Sequence, residues 1–348
     1  MRNPRVWVGT AVSAAFLVLL FWRAGLFDAE QRLEVWGAFA AMQLQWLLLA
    51  VPVFATSVWV RAQRWRMIIA PHTALARSDA TALVVIGYAA NNLLPVRAGE
   101  LVRAVLVRRQ FGGSGATTFG TIVVERVFDG LALTLMLVAA LSVGAATGVM
   151  AGNAALTALA VLMGVIFGGV SLFVLGFALR PVLVRGLLWR ILDVLPEAVG
   201  ERLRALLDRF LTGLTLVRGA GTWALVALAS AAGWLLEAAS YWLVGIAFGL
   251  ALPVEAYLAI CAAANLAIAA PSTAGGIGPY EFFAREAAVS FGATAGAATA
   301  YALALHAFVL LPITLAGLAL LWRRGLRLTT LTHPQPEMDA PAHSMSRG

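Results

Sequence analysis

The feature that most constrains this chain is a series of long apolar segments. The segment 154–179 is one of them, and it contains no charged side chain. A helix of about 20 apolar residues crosses the hydrocarbon core of a bilayer. Charged residues make up only 12% of the chain, about half the usual share in soluble proteins. The pattern predicts an all-α polytopic membrane protein, and it excludes a soluble enzyme, a disordered chain and a disulfide scaffold.

Segments of spanning length predict six full transmembrane helices. The first follows Arg2 and Arg5, as the apolar part of a signal peptide does. It ends in the bulky Phe21 and Trp22 without a small-residue cleavage site, so we interpret it as an uncleaved span. Pro52 predicts a break in the second span. The six predicted spans are 6–22, 35–60, 118–146, 154–179, 223–250 and 293–322.

The distribution of arginine predicts the orientation. All 25 basic residues are Arg, and cytoplasmic loops of membrane proteins carry the excess of positive charge. The intervening loops contain only Arg23 and Arg32, which acidic neighbours outnumber. Both termini are therefore predicted to be cytoplasmic, in the cytoplasmic (inner) membrane. The same bias explains the net charge of +8, so we expect no nucleic acid partner. The Arg-rich segments are 1–5, 61–77, 103–109, 180–218 and 323–327.

Two regions, 81–109 and 255–292, do not fit as single crossings. Each has a short apolar helix, a break containing Pro and Gly, and a more polar helix. The apolar part at 81–93 would extend about 20 Å at 1.5 Å per residue, which is short of the ~30 Å core. Irregular backbone at that depth is tolerated only inside protein or beside a wet cavity. We therefore predict two re-entrant helical hairpins.

The two predicted hairpins share a sequence pattern. Asn91 and Asn92 precede the first break and Glu100 follows it, while Asn265 precedes the second break and Glu281 follows it. By the charge argument the first hairpin enters from the cytoplasm and the second from outside. This predicts an inverted-topology repeat, which transporters use to build a site near the midplane. Two unrelated kinks in an apolar chain are the alternative.

Ionisable residues within the predicted membrane domain are the candidate substrate-binding residues, because charge in a bilayer is costly and usually functional. The planar guanidinium of Arg suits phosphate, and the helix N-termini after the breaks add positive charge. We expect a polar cavity that binds an anionic headgroup. Alternatively, the charges only hold the hairpins together, as Glu281 and Arg285 could do at i,i+4 spacing. The candidates are Arg97, Glu100, Arg103, Glu125, Arg126, Asp129, Glu281, Arg285 and His306.

Two ionisable residues stand alone in predicted spans. Histidine is the side chain that titrates near neutral pH, so His306 is either a proton carrier or a hydrogen-bonded packing residue. Glu237 either snorkels or faces the bundle. We expect no metal and no cofactor, because Cys261 is the single cysteine and a P-loop would need a lysine.

The polar segment 180–221 predicts two amphipathic helices, which Pro196 and Gly200 separate. We expect them to lie on the cytoplasmic interface and to bind anionic lipid, and a partner-helix role is the alternative. The segment 331–348 contains three prolines and predicts a disordered cytoplasmic tail. The predicted integral membrane domain is 1–330.

Three motifs occur in order along the chain: Asn92-x2-Pro95-x-Arg97-x-Gly99-Glu100-x2-Arg103, Glu125-Arg126-x2-Asp129 and Pro271-x3-Gly275-Gly276-x-Gly278-x2-Glu281. Together they resemble the lysylphosphatidylglycerol-synthase transmembrane family, also called the flippase-like domain, and the resemblance covers about 5–325. It implies movement of lipids between leaflets. Some members carry a fused transferase domain, for which this chain offers no long polar segment, so we expect no synthase activity. Pro279 and Tyr280 before Glu281 depart from the family pattern.

These observations favour a flippase or scramblase that is not an enzyme. Its expected substrate is an anionic phospholipid or a polyprenyl-linked lipid, and its expected partner is a lipid-synthesis enzyme or a second copy of the chain. One alternative is a secondary transporter of a small anion. A cavity that opens laterally to lipid would indicate a flippase rather than such a transporter. A membrane-embedded lipid-modifying enzyme is another, although the predicted outer loops are short and carry few acidic residues.

Overall fold

The computed structural model describes residues 4–23, 29–94, 98–193, 196, 200–201, 203–204, 207–208, 210–211, 220–268 and 274–326. Within these residues every regular element is helical, as the apolar periodicity predicts. The α-helices are α1 Pro4–Arg23, α2 Ala29–Ala40, α3 Leu44–Ile69, α4 Arg77–Leu93, α5 Gly99–Phe111, α6 Gly115–Ala146, α7 Ala154–Leu179, α8 Pro181–Leu192, α9 Ala220–Ala247, α10 Val254–Ala267, α11 Pro279–Ser290 and α12 Ala295–Arg323.

Five helices of the described part are long and apolar enough to cross a membrane: α3, α6, α7, α9 and α12. The chain is therefore a multi-pass membrane protein. Two shorter apolar helices accompany them, Thr10–Trp22 within α1 and Val254–Ala267. The predicted first span coincides with α1, whose apolar part is shorter than the five.

The second predicted span has the wrong bounds. Residues 35–60 are divided between α2 and α3, and α3 continues through Pro52 and well past residue 60. The hydroxyl of Thr56 donates to the carbonyl of Pro52 at 2.8 Å within the unbroken helix. Arg61 and Arg64, which the sequence placed in a loop, lie inside α3 and are buried. The predicted span ends before Arg61 because hydropathy takes no account of the carboxylates in other helices that pair with these arginines.

Each predicted hairpin consists of two helices that pack against each other, α4 with α5 and α10 with α11. Gly112 caps α5 with φ 71°, and Gly292 follows α11 with φ 102°. Both conformations lie in the left-handed region that glycine adopts without a steric cost. The two glycines that the sequence places at similar distances after Glu100 and Glu281 thus end the second helix of each pair.

Each of the two helical pairs, α4 with α5 and α10 with α11, is followed in the chain by a long helix. The first helix of each pair packs against the long helix that follows the other pair. Helix α4 packs against α12, and α10 packs against α6, while α3 and α9 pack against each other between them. Helix α10 carries buried alanines such as Ala259, Ala262 and Ala263 in the main hydrophobic core. Small residues let membrane helices approach closely, so α10 reaches the centre of the bundle.

The predicted amphipathic segment is only partly described. Helix α8 covers most of its first half, and Arg185 forms an ion pair of 3.5 Å with Asp208 in the second half. The disordered tail predicted at 331–348 lies outside the described residues.

Candidate functional site

A buried cluster of charged side chains lies between α3, α5, α6 and α9. Nη1 of Arg64 is 2.6 Å from Oδ1 of Asp129, and its Nη2 is 3.3 Å from Oε1 of Glu125. Nη2 of Arg103 donates to the other oxygen of Glu125 at 2.8 Å. The side chains of Arg64 and Glu125 are fully buried. Each carboxylate is therefore shared by donors from different helices.

Neutral partners add hydrogen bonds to this cluster, although Nε of Arg64, Nε of Arg103 and Oδ2 of Asp129 have no hydrogen-bond partner among the described residues. The hydroxyl of Ser230 accepts from Arg64 at 2.7 Å, and the indole N–H of Trp234 donates to Asp129 at 2.9 Å. The guanidinium of Arg103 lies 4.0 Å from the ring centroid of Trp65, a cation–π contact. Buried charges cost desolvation energy unless they are paired and hydrogen-bonded, and these residues supply the pairing.

Glycines make room for the arginines. A Cβ on Gly87 would lie 2.5 Å from Cδ of Arg103, and a Cβ on Gly233 would lie 2.8 Å from Cγ of Arg61. A Cβ on Gly99 would lie 2.0 Å from the carbonyl oxygen of Gly87. The glycine of the first motif is therefore required for the close contact between α4 and α5.

A second ion pair, between Arg61 and Glu237, extends the cluster along α3 and α9. Nη2 of Arg61 bonds to Oε2 of Glu237, and its guanidinium lies 4.5 Å from the ring centroid of Trp234. Oε1 of Glu237 accepts from the hydroxyl of Tyr241 at 3.2 Å and from Nδ2 of Asn265 at 3.1 Å. Glu237, whose orientation the sequence left open, thus faces the bundle.

A cavity of about 110 Å³ opens beside this cluster. Two arginines, a glutamate and three asparagines contribute to its wall, and apolar side chains complete it. Its lining residues are Phe54, Arg61, Tyr88, Asn91, Asn92, Arg126, Trp234, Glu237, Asn265, Ile268, Val309 and Ile313.

Arg126 lines this cavity, and two of its nitrogens have no hydrogen-bond partner among the described residues. Its nitrogens lie 3.6 Å from Glu125 and 3.7 Å from Asp129, too far for good hydrogen bonds. Nε and Nη2 of Arg126 form no hydrogen bond with any residue that the structure describes. The side chain is 34% exposed, although the carboxylates beside it are buried. Arg126 is therefore attracted to the cluster without being fully bonded by it.

The cluster brings opposite charges together in similar numbers. Four arginines face three carboxylates in the ion pairs described above, and the carboxylate of Glu100 lies near enough to interact with Arg126 as well. The members are Arg61, Arg64, Arg103, Arg126, Glu125, Asp129 and Glu237. Two of these arginines, Arg61 and Arg126, line the cavity, where their positive charge can attract an anion.

The structure brings together four of the nine predicted site residues: Arg103, Glu125, Arg126 and Asp129. Glu100 lies next to them at the start of α5, where Oε1 accepts from Nδ2 of Asn91 at 3.1 Å. Arg97 lies outside the described residues.

Glu281 and His306 form a separate contact. Oε1 of Glu281 lies 2.7 Å from Nδ1 of His306. The packing of α12 against the second hairpin thus brings together two residues that are 25 positions apart in the sequence. The i,i+4 pair of Glu281 with Arg285 that the sequence suggests is wrong. Arg285 pairs instead with Glu286 at 2.7 Å and donates from Nε to Thr299 at 3.1 Å, because Glu281 is already bonded at the other end of α11.

Sequence reasoning missed Ser230 and Trp234 of α9 and three members of the site on α3, namely Arg61, Arg64 and Trp65; only the α3 residues left a sequence signal. A signal was present, because these residues are spaced i, i+3, i+4 and share one helix face. The pattern is amphipathic in a segment that the charge count assigned to a loop.

Comparison with known proteins identifies a family. The family model described as lysylphosphatidylglycerol synthase TM region matches residues 6–317, which include every described member of the site. No curated protein and no solved structure matches the chain.

Proposed function

The chain belongs to the lysylphosphatidylglycerol synthase TM region family, and from this premise we propose that it moves an anionic lipid between the leaflets of the membrane. The family assignment supports a lipid-related function in the membrane. The finer statement, translocation without chemical change, is our proposal. The candidate substrates are an anionic phospholipid and a polyprenyl-linked lipid phosphate.

The observation that carries the proposal is the position of Arg126 at the cavity. Two of its nitrogens have no described hydrogen-bond partner, and two parallel N–H groups of a guanidinium match two oxygens of a phosphate. Arg61 lies in the same wall. A phosphate in the cavity would accept from Arg126 and lie near the guanidinium of Arg61.

The walls of the cavity suit an amphiphile. Phe54, Ile268, Val309 and Ile313 face the cavity along with the polar residues. A charged headgroup among the arginines would therefore have an apolar surface beside it for the first atoms of its tails. A small inorganic anion would leave that surface in contact with water.

The packing supports the proposed membrane topology. We propose six crossings and two re-entrant hairpins, with both termini in the cytoplasm and the protein in the cytoplasmic membrane. We take α3–α6 and α9–α12 as the two repeats. The contact of α4 with α12 is then equivalent to the contact of α10 with α6, and α3 packs against α9, its equivalent in the other repeat. Inverted repeats of this kind surround substrate sites in transporters.

The test is leaflet exchange in liposomes that contain the purified protein and a fluorescent lipid. Phosphatidylglycerol, a polyprenyl phosphate and phosphatidylcholine are compared as probes. We expect exchange of the anionic probes, and we expect Arg126→Gln to abolish it. Arg109→Gln is the matched control, because Arg109 is exposed on α5 and should leave exchange unchanged.

Exchange by Arg126→Gln at the wild-type rate would contradict the headgroup site. Uptake of radioactive inorganic phosphate without exchange of any lipid would replace the proposal by transport of a small anion.

A further inference from the structure

Both ring nitrogens of His306 face oxygen atoms in a buried position. Nδ1 lies 2.7 Å from Oε1 of Glu281, and Nε2 lies 2.9 Å from the carbonyl oxygen of Gly275. The side chains of His306 and Glu281 are 5% and 7% exposed. The second carboxylate oxygen of Glu281 accepts from the backbone N–H of Gly278 at 2.7 Å.

These contacts need one more proton than a neutral imidazole beside an ionised carboxylate carries. A carbonyl oxygen only accepts, so Nε2 must hold a proton to bond to Gly275. The contact with Glu281 then needs a second proton, either on Nδ1 or on the carboxyl group. Without it, the lone pair of Nδ1 would face a carboxylate oxygen at 2.7 Å. The pair therefore binds one exchangeable proton as part of its geometry.

Through its hydrogen bonds this proton attaches the break of the second hairpin, here residues 275–278, to His306 of α12. Gly275, Gly276 and Gly278 have φ values of 75°, 77° and 101°, so the short 3-10 segment Ala274–Gly276 and the residues before α11 do not continue a regular right-handed helix. His306 holds the carbonyl of Gly275 directly and holds the N–H of Gly278 through Glu281. If the pair loses its proton, only one of the two attachments can form.

The break in turn touches the cavity. A Cβ on Gly276 would lie 2.4 Å from Cγ2 of Ile268, and Ile268 lines the cavity. Val309, one helical turn after His306, lines it as well. A shift of residues 274–276 would therefore move part of the cavity wall.

A chain of side chains gives a second connection. The ring of Tyr280 stacks on the imidazole of His306 with centroids 4.2 Å apart. The hydroxyl of Tyr280 donates to that of Tyr241 at 2.5 Å, and Tyr241 donates to Glu237 at 3.2 Å. Glu237 is the partner of Arg61 in the cavity wall. The imidazole thus stacks on a chain of hydrogen bonds that ends at the anion site.

We propose that His306 and Glu281 form a proton-binding site that couples proton uptake and release to lipid translocation. With the proton bound, His306 bonds to both Glu281 and Gly275, and the cavity has the shape described above. When the proton leaves to water, one of these two hydrogen bonds is lost and the cavity wall rearranges. The lipid part of this inference rests on the proposed function, whereas the proton step is a property of the chain alone.

The surroundings contain other groups that titrate. The segment 10–22 of α1 and the whole of α7 carry none, and α12 contributes Tyr301 and, at its far end, Arg323 besides His306 itself. The other groups on the elements packed around the pair include Tyr280, Arg285 and Glu286 of α11, Tyr241 and Glu237 of α9, Cys261 and Tyr257 of α10, Glu34 of α2 at the start of α12, and Tyr88 and Asp79 of α4.

Hydrogen exchange of the peptide that contains residues 274–281 tests the proton step directly. In detergent or nanodiscs we expect wild-type exchange, corrected for the intrinsic pH dependence of amides, to rise at least about tenfold between about pH 5 and about pH 9. Glu281→Gln should abolish the rise, because its amide donates to Nδ1 at every pH while its carbonyl still accepts from Gly278. His306→Gln, which cannot gain a proton, should abolish it too. Glu286→Gln, another buried carboxylate of α11, should retain the rise.

A flat wild-type profile, or the same rise in Glu281→Gln, would overturn the proton site whether or not lipid moves. In the liposome assay, a pH gradient should change wild-type exchange of the anionic probe about threefold or more and leave Glu281→Gln unaffected. If hydrogen exchange of residues 274–281 depends on pH while lipid transfer does not depend on the pH gradient, the coupling is overturned. Absence of any lipid transfer would overturn the proposed function, and the exchange experiment would still decide the proton site.

Discussion

Arg64 and Asp129 are 65 positions apart in the chain, and their side chains meet at 2.6 Å in the middle of the helical bundle. This ion pair joins α3 to α6 where solvent is excluded. It fixes the position of the helix that carries Arg126, and so it determines where the guanidinium of Arg126 lies.

Removing one member of this pair should destabilise the protein strongly. Arg64→Met leaves Asp129 and Glu125 with one arginine fewer in a buried site, and breaking a buried pair costs about 3–5 kcal/mol. Thermal unfolding in detergent measures the loss. In the double variant Arg64→Met with Asp129→Leu the loss should be smaller, since no unpaired carboxylate remains at position 129. A double variant less stable than Arg64→Met would contradict the pairing.

Lysine should replace Arg126 poorly. Lysine keeps the positive charge but lacks the planar fork that bonds two phosphate oxygens. We expect Arg126→Lys to lower the rate of anionic lipid exchange by about tenfold, which corresponds to about 1.4 kcal/mol, and to leave the unfolding temperature almost unchanged. Full activity of Arg126→Lys would mean that only the charge matters.

Two alanine substitutions should have opposite effects. Gly99→Ala places a Cβ against the backbone carbonyl of Gly87, so α4 and α5 must separate, and we expect a loss of at least about 2 kcal/mol, as in overpacked cores. Gly168→Ala in α7 meets no atom within 4 Å and should stabilise the helix by up to about 1 kcal/mol. Unfolding temperatures of the two variants give the comparison, and equal shifts would count against the close contact of α4 with α5.

Single cysteines test the proposed topology. In a Cys261→Ser background, Ala151→Cys lies between α6 and α7, and Arg109→Cys lies near the end of α5; both positions are exposed. We expect a membrane-impermeant maleimide to label Ala151→Cys from the outside of intact cells and Arg109→Cys only after the membrane is opened. Labelling of both from the same side would refute the orientation.

Sequence reasoning predicted the fold where each residue's own polarity decides its position. The uncharged segment 154–179 became α7 with the same bounds, and both breaks fall between the helices that they were predicted to separate. It failed at Arg61 and Arg64, because the burial of an arginine depends on Asp129, Glu125 and Glu237 in other helices. No local pattern in α3 specifies those partners.

The candidate site shows the same division. Glu125 and Asp129 of the second motif are four residues apart and share one face of α6, because helical spacing alone sets that geometry. The partner of Glu281 was not predictable in this way. Two helices had to pack before His306, rather than Arg285, reached Glu281, and the N–H of Gly278 occupied its other oxygen.

The contact of α4 with α12 has a consequence for how the protein is made. Asn92 of the first hairpin donates to Thr314 across 222 positions of the chain, so its partner leaves the ribosome long after it does. Until then the side-chain amide of Asn92 lacks this partner. Biogenesis therefore requires a temporary neighbour, either the insertion machinery or the lipid headgroup region, and a chain truncated before α12 should be degraded rather than matured.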